Sequence, residues 1–222
     1  MRKLSKIVLS CLALSVSAIA HAATVTFDDT AAYSTGQFTS TGFDFNLTGL
    51  SSFISPGSGS CGPACPSSGS QYALAAYGDF QDDVSALVMS KSGGGTFSLN
   101  SFQGAGSFDW IPTNNPQYIP SLINVVGNLA GGGTVTQSFA VSKISSGGSL
   151  IFSDYTFNSG FSNLLSVKFS SSGSDFEIYN GFSIDNINVG GVSAVPEPEP
   201  YAMLLAGLGL VGWMARRRKV VA

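Results

Sequence analysis

The chain holds few side chains that carry out acid–base or metal chemistry. Its only histidine is His21, which lies at the end of an N-terminal stretch with the features of an export signal. Removal of that stretch leaves no histidine in the exported protein. This excludes catalysis by serine–histidine or cysteine–histidine pairs, and histidine-based metal sites.

Carboxylates are more numerous, but the sequence does not pair them. Between residues 23 and 195 there are eleven acidic residues, and Glu177 is the only glutamate among them. Glycoside hydrolysis needs two carboxylates that face each other across a cleft, and no spacing here indicates such a pair. Asp79, Asp82 and Asp83 lack the regular spacing of a calcium loop and indicate a solvated turn. We therefore predict a protein that is not an enzyme.

One aromatic stretch suits carbohydrate binding. Trp110 and Tyr118 flank a segment that contains Asn114, Asn115 and Gln117. Aromatic rings stack on sugar faces, and amides bond to sugar hydroxyls. We predict Trp110 and Tyr118 as carbohydrate contacts; the alternative is that Trp110 is a core residue at a strand end.

Both ends of the chain have the features of targeting signals. Arg2, Lys3 and Lys6 precede an apolar stretch over residues 7–19, and Ala20-His21-Ala22 fits the small-x-small cleavage pattern of signal peptidase. Residues 1–22 are therefore a predicted signal peptide, and the exported chain is predicted to begin near Ala23.

The other end combines prolines, a short apolar run and a basic cluster. Pro196, Pro198 and Pro200 disfavour a helix before residue 201. A helix over residues 201–215 would be roughly 22 Å long, which is short against a bilayer core of about 30 Å. Arg216, Arg217 and Arg218 follow this run and should stay on the cytoplasmic side, with the preceding chain outside.

This tail resembles the PEP-CTERM sorting signal of Gram-negative bacteria, which an exosortase recognises. The matching positions include Pro196, Glu197 and Pro198, and the basic cluster Arg216, Arg217 and Arg218. The resemblance implies a sorting signal over residues 196–222, a transient anchor in the inner membrane, and release to the cell surface or extracellular matrix. The alternative is a permanent single-span anchor.

Export bears on the two cysteines that remain, Cys61 and Cys65. In an oxidising compartment this closely spaced pair predicts a local disulfide. The alternative, half of a zinc site, lacks a second pair of soft ligands.

The segment from residue 23 to 195 carries three basic against eleven acidic residues, a net charge of −8. Such a domain repels phosphate backbones, so nucleic acid is not an expected partner.

Alternating apolar and polar residues predict an all-β domain over residues 23–195. Strands are expected over 24–28, 43–47, 71–77, 84–89, 97–102 and 182–189, with hairpin pairs 122–129 with 134–141, 150–157 with 163–170, and 176–179 with 182–189. About eleven or twelve short strands at this spacing indicate an antiparallel two-sheet sandwich.

The two ends of this domain resemble secreted jelly-roll modules of the carbohydrate-binding type. The resemblance rests on the closing Asp185-Asn186-Ile187 and the opening Thr26-Phe27-Asp28-Asp29. It implies a structural Ca²⁺ held by Asp28, Asp29 and Asp185; the alternative is that these acids end strands and face water. No other cofactor is expected.

Together these features predict an exported, exosortase-processed protein of the cell surface or extracellular matrix. The association of the sorting family with polysaccharide-producing bacteria implies a non-catalytic role with exopolysaccharide, in biofilm or adhesion. A lectin-like carbohydrate-binding module is the alternative, and a polysaccharide-active enzyme is the least favoured one.

Overall fold

The computed structural model describes residues 21–49, 52–57, 70–75, 85–107, 120–141, 151–173 and 181–192. These ranges contain β-strands and no helix, which confirms the predicted all-β class. Accordingly, nothing in the described ranges is an apolar helix of membrane-spanning length. The strands are β1 His21–Val25, β2 Gly36–Ser40, β3 Phe43–Thr48, β4 Phe53–Ser55, β5 Tyr72–Ala75, β6 Ala86–Lys91, β7 Ser98–Ser107, β8 Leu122–Leu129, β9 Thr134–Ala140, β10 Ser153–Thr156, β11 Leu164–Ser172 and β12 Gly181–Val192.

The strands form two antiparallel sheets of six strands each, as the alternation predicted. Sheet A has the order β10-β7-β12-β5-β4, with β1 also paired to β12. Sheet B has the order β2-β3-β6-β11-β8-β9. Alternation places one side of each strand inside: Phe43, Phe45 and Leu47 of β3 are buried, whereas Asp44 and Asn46 are exposed. The apolar sides of the two sheets form one core.

Aromatic rings from both sheets meet in the middle of this core. Phe102 of β7 lies 5.1 Å from Phe139 of β9, 5.2 Å from Tyr155 of β10 and 5.5 Å from Phe169 of β11, measured between ring centroids. Phe157 lies 5.3 Å from Phe102. Edge and tilted contacts at these distances are the favoured geometries of aromatic pairs, so Phe102 joins the two layers.

The closing strand β12 contains a bulge that the sequence pattern conceals. Ile184 and Ile187 are both fully buried, although a spacing of three puts them on opposite sides of a regular strand. The pairing with β7 shifts between Asp185 and Asn188, and Asn186 has a φ of 47°. The inserted residue returns Ile187 to the core side.

Two predictions about the strands were wrong. Segments 150–157 and 163–170 do not pair: β10 pairs with β7 in sheet A, and β11 pairs with β6 and β8 in sheet B. Strand β1 ends at Val25 instead of residue 28. Phe27 has a φ of 60°, and the N–H of Thr30 donates to the carbonyl of Phe27 at 3.0 Å, so the chain turns there.

Candidate functional site

The first and last strands lie side by side, and two of the three predicted acidic residues, Asp28 and Asp185, lie near the place where they meet. Strand β7 occupies one edge of β12, whereas β5 and β1 share the other edge. Strand β5 pairs with the first part of β12, from Phe182 to Ile184, and β1 pairs with the part beyond the bulge. The end of β1 and the start of β5 therefore meet next to the bulge.

Asp28 and Asp185 both contact the start of β5. The Asp28 carboxylate accepts a hydrogen bond from the Gln71 N–H at 2.9 Å, and the Asp185 carboxylate accepts one from the Ser70 hydroxyl at 3.1 Å. Asp185 is fully buried and also accepts from the N–H of Asn186 at 2.7 Å. We call this group of Asp28, Ser70, Gln71 and Asp185 the acidic junction. Its hydrogen bonds connect the segment after β1 and strand β12 to the start of β5.

Asp29 has different hydrogen-bond partners from Asp28, although the two residues are adjacent in sequence. One of its oxygens accepts from the Ser40 hydroxyl and the other from the Thr41 N–H at 2.7 Å. Thr41 and Gly42 have φ values of 48° and 76° and form the tight turn between β2 and β3. The Ser40 hydroxyl, followed by backbone donors, holds the pKa of Asp29 below its ordinary value. Asp29 therefore stabilises the β2–β3 turn.

The acidic junction offers hard oxygen donors of the kind that Ca²⁺ prefers. Besides two carboxylates it contains Gln71 Oε1, which is buried and accepts no hydrogen bond. Within the described ranges, however, no group of three or more histidine, cysteine, aspartate or glutamate residues could hold a metal ion. An ion here would need Asp28, Asp185, the Gln71 amide oxygen and backbone carbonyls. The structure does not group Asp29 with Asp28 and Asp185 as predicted, because Asp29 bonds to Ser40 and Thr41. Calcium binding by the acidic junction stays a prediction.

The role of Asp29 gives a pH-dependent prediction. Because its pKa is lowered in the folded state, Asp29 stabilises the fold above the unfolded pKa of about 3.9, and that contribution is lost as the pH falls through the folded value. We expect Asp29→Asn to melt below the wild type at pH 7, and the difference between the two melting temperatures to shrink as the pH falls through the lowered pKa of Asp29. Thermal melts over a series of falling pH values measure this; a constant difference at all pH values would contradict it.

The outer side of sheet B is a polar surface that the sequence analysis did not identify. Strand register aligns its outward side chains in rows across all six strands, which at 4.7–4.9 Å per strand span about 24 Å. One row consists of Thr39, Asp44, Ser90, Ser166, Asn128 and Thr134, and the next of Gln37, Asn46, Val88, Lys168, Val126 and Thr136. All of these side chains are exposed or half-buried. We call this surface the polar face.

Neighbouring side chains on the polar face hold one another in place. Asn128 donates to the Ser166 hydroxyl at 2.8 Å. Asp44 accepts from the Thr39 hydroxyl at 3.0 Å and from the Ser92 hydroxyl at 2.6 Å. Fixed rotamers reduce the entropy that these groups lose when they bind a ligand. The polar face is therefore partly organised before any ligand arrives.

A groove of ≈ 410 Å³ lies at the β2 side of the polar face. Its lining combines amide, hydroxyl and carboxylate groups with apolar surface and consists of Gln37, Phe38, Thr39, Asp44, Phe45, Asn46, Val88 and Ser90. The volume falls within the usual 300–1,000 Å³ range of ligand sites. The sequence analysis missed this groove because it did not predict β2; the only available signal was alternation before the short Thr41-Gly42 turn.

Several predicted site residues lie outside the described residues. These are the cysteines Cys61 and Cys65, the aromatic pair Trp110 and Tyr118, the acidic group Asp79, Asp82 and Asp83, and the sorting residues from Pro196 to Arg218. The disulfide and the aromatic sugar contacts stay predictions.

Comparison with known proteins identifies the C-terminal tail. Residues 194–219 match the PEP-CTERM protein-sorting motif, which confirms the resemblance seen in the sequence. The motif indicates an exported protein with a membrane-anchoring C-terminus that an exosortase processes. No curated protein matches the chain as a whole.

Solved structures with a similar arrangement of strands include two with carbohydrate-binding modules. The CBM22-1–CBM22-2 tandem domain of Paenibacillus barcinonensis Xyn10C has 12% identity and a TM-score of 0.39, and the match covers 83% of this chain and 50% of that one. GH31 CBM32-2 bound to GalNAc has 14% identity, a TM-score of 0.35, and coverage of 66% and 97%. The chain thus spans only half the length of the first structure.

A third similar structure belongs to a different kind of protein. The enzymatically active domain of tailspike protein 4 from bacteriophage CBA120 has 13% identity and a TM-score of 0.34, with coverage of 68% of this chain and 19% of that one. Likenesses at this level concern general architecture and assign no ligand to this chain.

Proposed function

We propose that this exported protein is a non-catalytic component of the cell surface or extracellular matrix that associates with neutral polysaccharide in a biofilm or similar matrix. The observation that supports this most is the polar face, which presents hydroxyl and amide side chains across six strands. The sorting motif indicates an exported protein, and an exported domain would be on the side of the membrane where it could meet such polymers.

The chemistry of the polar face favours sugars without charge. Hydroxyl groups both donate and accept hydrogen bonds, and amides offer two donors beside an acceptor, which matches the hydroxyls of a sugar. In the two aligned rows, Asp44 and Lys168 are the charged residues, and their charges are opposite. Since the exported segment carries a net charge of −8, an anionic polymer would be repelled. Neutral polysaccharide is therefore the expected ligand.

The carboxylates of the described ranges serve as hydrogen-bond acceptors within the fold, which supports a non-catalytic role. Asp28 and Asp185 fasten the acidic junction, and Asp29 supports the β2–β3 turn. Asp154 accepts from the Gln103 side chain at 2.9 Å. Such positions differ from the opposed acid–base pair that glycoside hydrolysis requires.

Binding of insoluble neutral polysaccharide tests the proposal. We expect the exported protein to bind neutral polymers such as dextran or curdlan gels and to bind alginate, an anionic polymer, weakly. Replacing Gln37, Thr39 and Asn46 together with alanine should weaken binding at least tenfold, because each lost hydrogen bond contributes about 0.5–1.5 kcal/mol. Depletion isotherms measure the change.

The matched control lies on the opposite sheet. Thr24 and Asn100 are exposed polar residues of sheet A, and replacing both with alanine should leave binding unchanged. Equal losses in the two variants, or no binding to any neutral polymer, would contradict the proposal. Inhibition by a single short oligosaccharide would instead indicate the lectin-like alternative. Release of reducing ends from the polymer would indicate an enzyme.

A further inference from the structure

Tyr33 is the most exposed large apolar side chain of the described ranges, with 62% of its surface open to solvent. Its ring is stacked on the ring of Phe53 in β4, with 5.7 Å between the centroids and 29° between the planes. Phe53 is half-buried and packs against Tyr72 and Leu74, which are both buried. One face of the Tyr33 ring therefore rests on a fixed base, and the other face points to solvent. We call the pair of Tyr33 and Phe53 the aromatic platform.

The backbone holds Tyr33 in a conformation that a tyrosine rarely adopts. Tyr33 has a φ of 64° and is the third residue of a turn, which is closed by a hydrogen bond from the Ser34 N–H to the Ala31 carbonyl at 3.2 Å. Glycine or asparagine is usual at such a position, because a positive φ brings Cβ close to the backbone. Two hydrogen bonds fix the turn on β4: the Tyr33 N–H donates to the Ile54 carbonyl at 2.7 Å, and the Ile54 N–H donates to the Ser34 carbonyl at 2.9 Å. Backbone strain that the surroundings maintain in this way is concentrated at functional sites.

The aromatic platform is close to the groove of the polar face. Strand β2 begins at Gly36, and its second residue, Gln37, lines the groove. Four residues of chain span at most about 14 Å, so the Cα atom of Tyr33 lies within about that distance of the Cα atom of Gln37. The Tyr33 ring is therefore within reach of a polymer that is bound in the groove.

We propose that the aromatic platform binds one pyranose ring of a neutral polysaccharide by stacking on the open face of Tyr33. This inference rests on the proposed function for the class of ligand, and it adds a contact outside sheet B. A pyranose ring has a face of C–H groups, which suits the electron-rich face of an aromatic ring, and the Tyr33 hydroxyl can exchange hydrogen bonds with sugar hydroxyls. The two aligned rows of the polar face contain no aromatic residue. The platform therefore supplies a stacking contact that those rows lack.

The surroundings of Tyr33 favour a sugar ring over a protein surface. The other exposed large apolar residues of the described ranges are Ile151 and Leu165, which belong to other parts of the chain. A stable protein interface buries about 800 Å² on each partner around an apolar centre, whereas the exposed residues just before Tyr33 are the small Ala31 and Ala32. A single ring fixed in advance is enough to bind one sugar ring, and it loses little conformational entropy on binding.

Binding to curdlan gel, an uncharged polymer, tests the platform in variants of the exported protein. Tyr33→Gly removes the ring and suits a φ of 64°, so its melting temperature should stay within about 3 °C of the wild type. Its binding should weaken about three- to tenfold, the effect of losing one aromatic stacking contact. Tyr33→Phe keeps the ring and should bind better than Tyr33→Gly. Ile151→Ala, which removes an exposed apolar side chain elsewhere, is the matched control and should bind as the wild type does.

Comparison with the triple alanine variant of Gln37, Thr39 and Asn46 separates this inference from the proposed function. If Tyr33→Gly weakens binding and the triple substitution does not, the polar face is refuted and the platform is supported. If the triple substitution weakens binding and Tyr33→Gly does not, the platform is refuted and the proposed function is supported. Equal weakening in Tyr33→Phe and Tyr33→Gly would also overturn the platform. Absence of wild-type binding to both curdlan and dextran would overturn both.

A measurement on the wild type keeps the test decisive if Tyr33→Gly does not fold. Saturating soluble β-glucan oligosaccharide should largely prevent nitration of Tyr33 by tetranitromethane, because a stacked sugar covers the open face of the ring. Tyr155, which is half-buried and donates its hydroxyl to the Ala140 carbonyl at 3.0 Å, is the internal control and should react at the same rate with and without the sugar. Peptide mapping by mass spectrometry measures both residues. An unchanged rate of nitration at Tyr33 would refute the platform.

Discussion

Phe102→Ala should destabilise the exported domain by about 3–5 kcal/mol, the usual cost of removing a buried phenylalanine. The ring is fully buried and contacts Phe139, Tyr155 and Phe169 from three different strands. Rings held by separate strands cannot all move to fill the space, so a cavity should remain. For a domain of this size the melting temperature should fall by roughly 6–20 °C. Denaturant and thermal unfolding measure both quantities.

Two variants separate packing from general effects of substitution. Leu165 is 49% exposed on β11, and Leu165→Ala should change the free energy of unfolding by less than about 0.5 kcal/mol. Phe102→Leu keeps most of the buried volume and should cost less than Phe102→Ala. A loss below about 1 kcal/mol in Phe102→Ala would show that Phe102 does not join the two sheets as described.

Calcium at the acidic junction should raise the melting temperature of the wild type by about 5–10 °C. An ion that binds only the folded state stabilises it by about 2.7 kcal/mol at one hundred times its Kd, and each kcal/mol corresponds to about 2–4 °C at this size. The ion would also offset repulsion between Asp28 and Asp185, both of which bond to the start of β5. Melts with added Ca²⁺ and with chelator measure the shift.

Replacing a buried acid changes the melting temperature even without calcium. Each variant is therefore judged by the difference between its melting temperature with Ca²⁺ and its melting temperature with chelator. In Asp185→Asn this difference in melting temperature should disappear, and in Asp28→Asn it should be smaller than in the wild type. Asp29→Asn should keep it, since Asp29 bonds to the β2–β3 turn. If the wild-type melt moves by less than a degree between the two conditions, the acidic junction holds no calcium.

Local features of the fold could be predicted well from the sequence. The hairpin predicted over 122–129 and 134–141 is present as β8 and β9, with a glycine-rich turn between them. Its strands alternate, its turn residues lie between them, and its partners are adjacent in the chain, so all the required information is local. The tail was recognisable for the same reason, because a sorting motif acts as a linear segment.

Partners that are distant in the chain could not be predicted in this way. Alternation in 150–157 and 163–170 is the same whether the two strands pair with each other or join opposite sheets, as they do here. Asp28 and Asp29 look equivalent in sequence. Because the chain turns at Phe27, Asp28 bonds to the start of β5 and Asp29 bonds to the β2–β3 turn.

By itself the sequence determined the class of the fold, the sorting motif and the negative charge, because each depends on composition or on a short contiguous pattern. The N-terminal export signal stays a prediction from the same kind of pattern. Only the tertiary structure decided which polar residues share a surface. The rows of the polar face draw single residues from six strands, and the acidic junction joins residues 28, 71 and 185. Strand register aligns them, and register results from packing of the buried sides of both sheets.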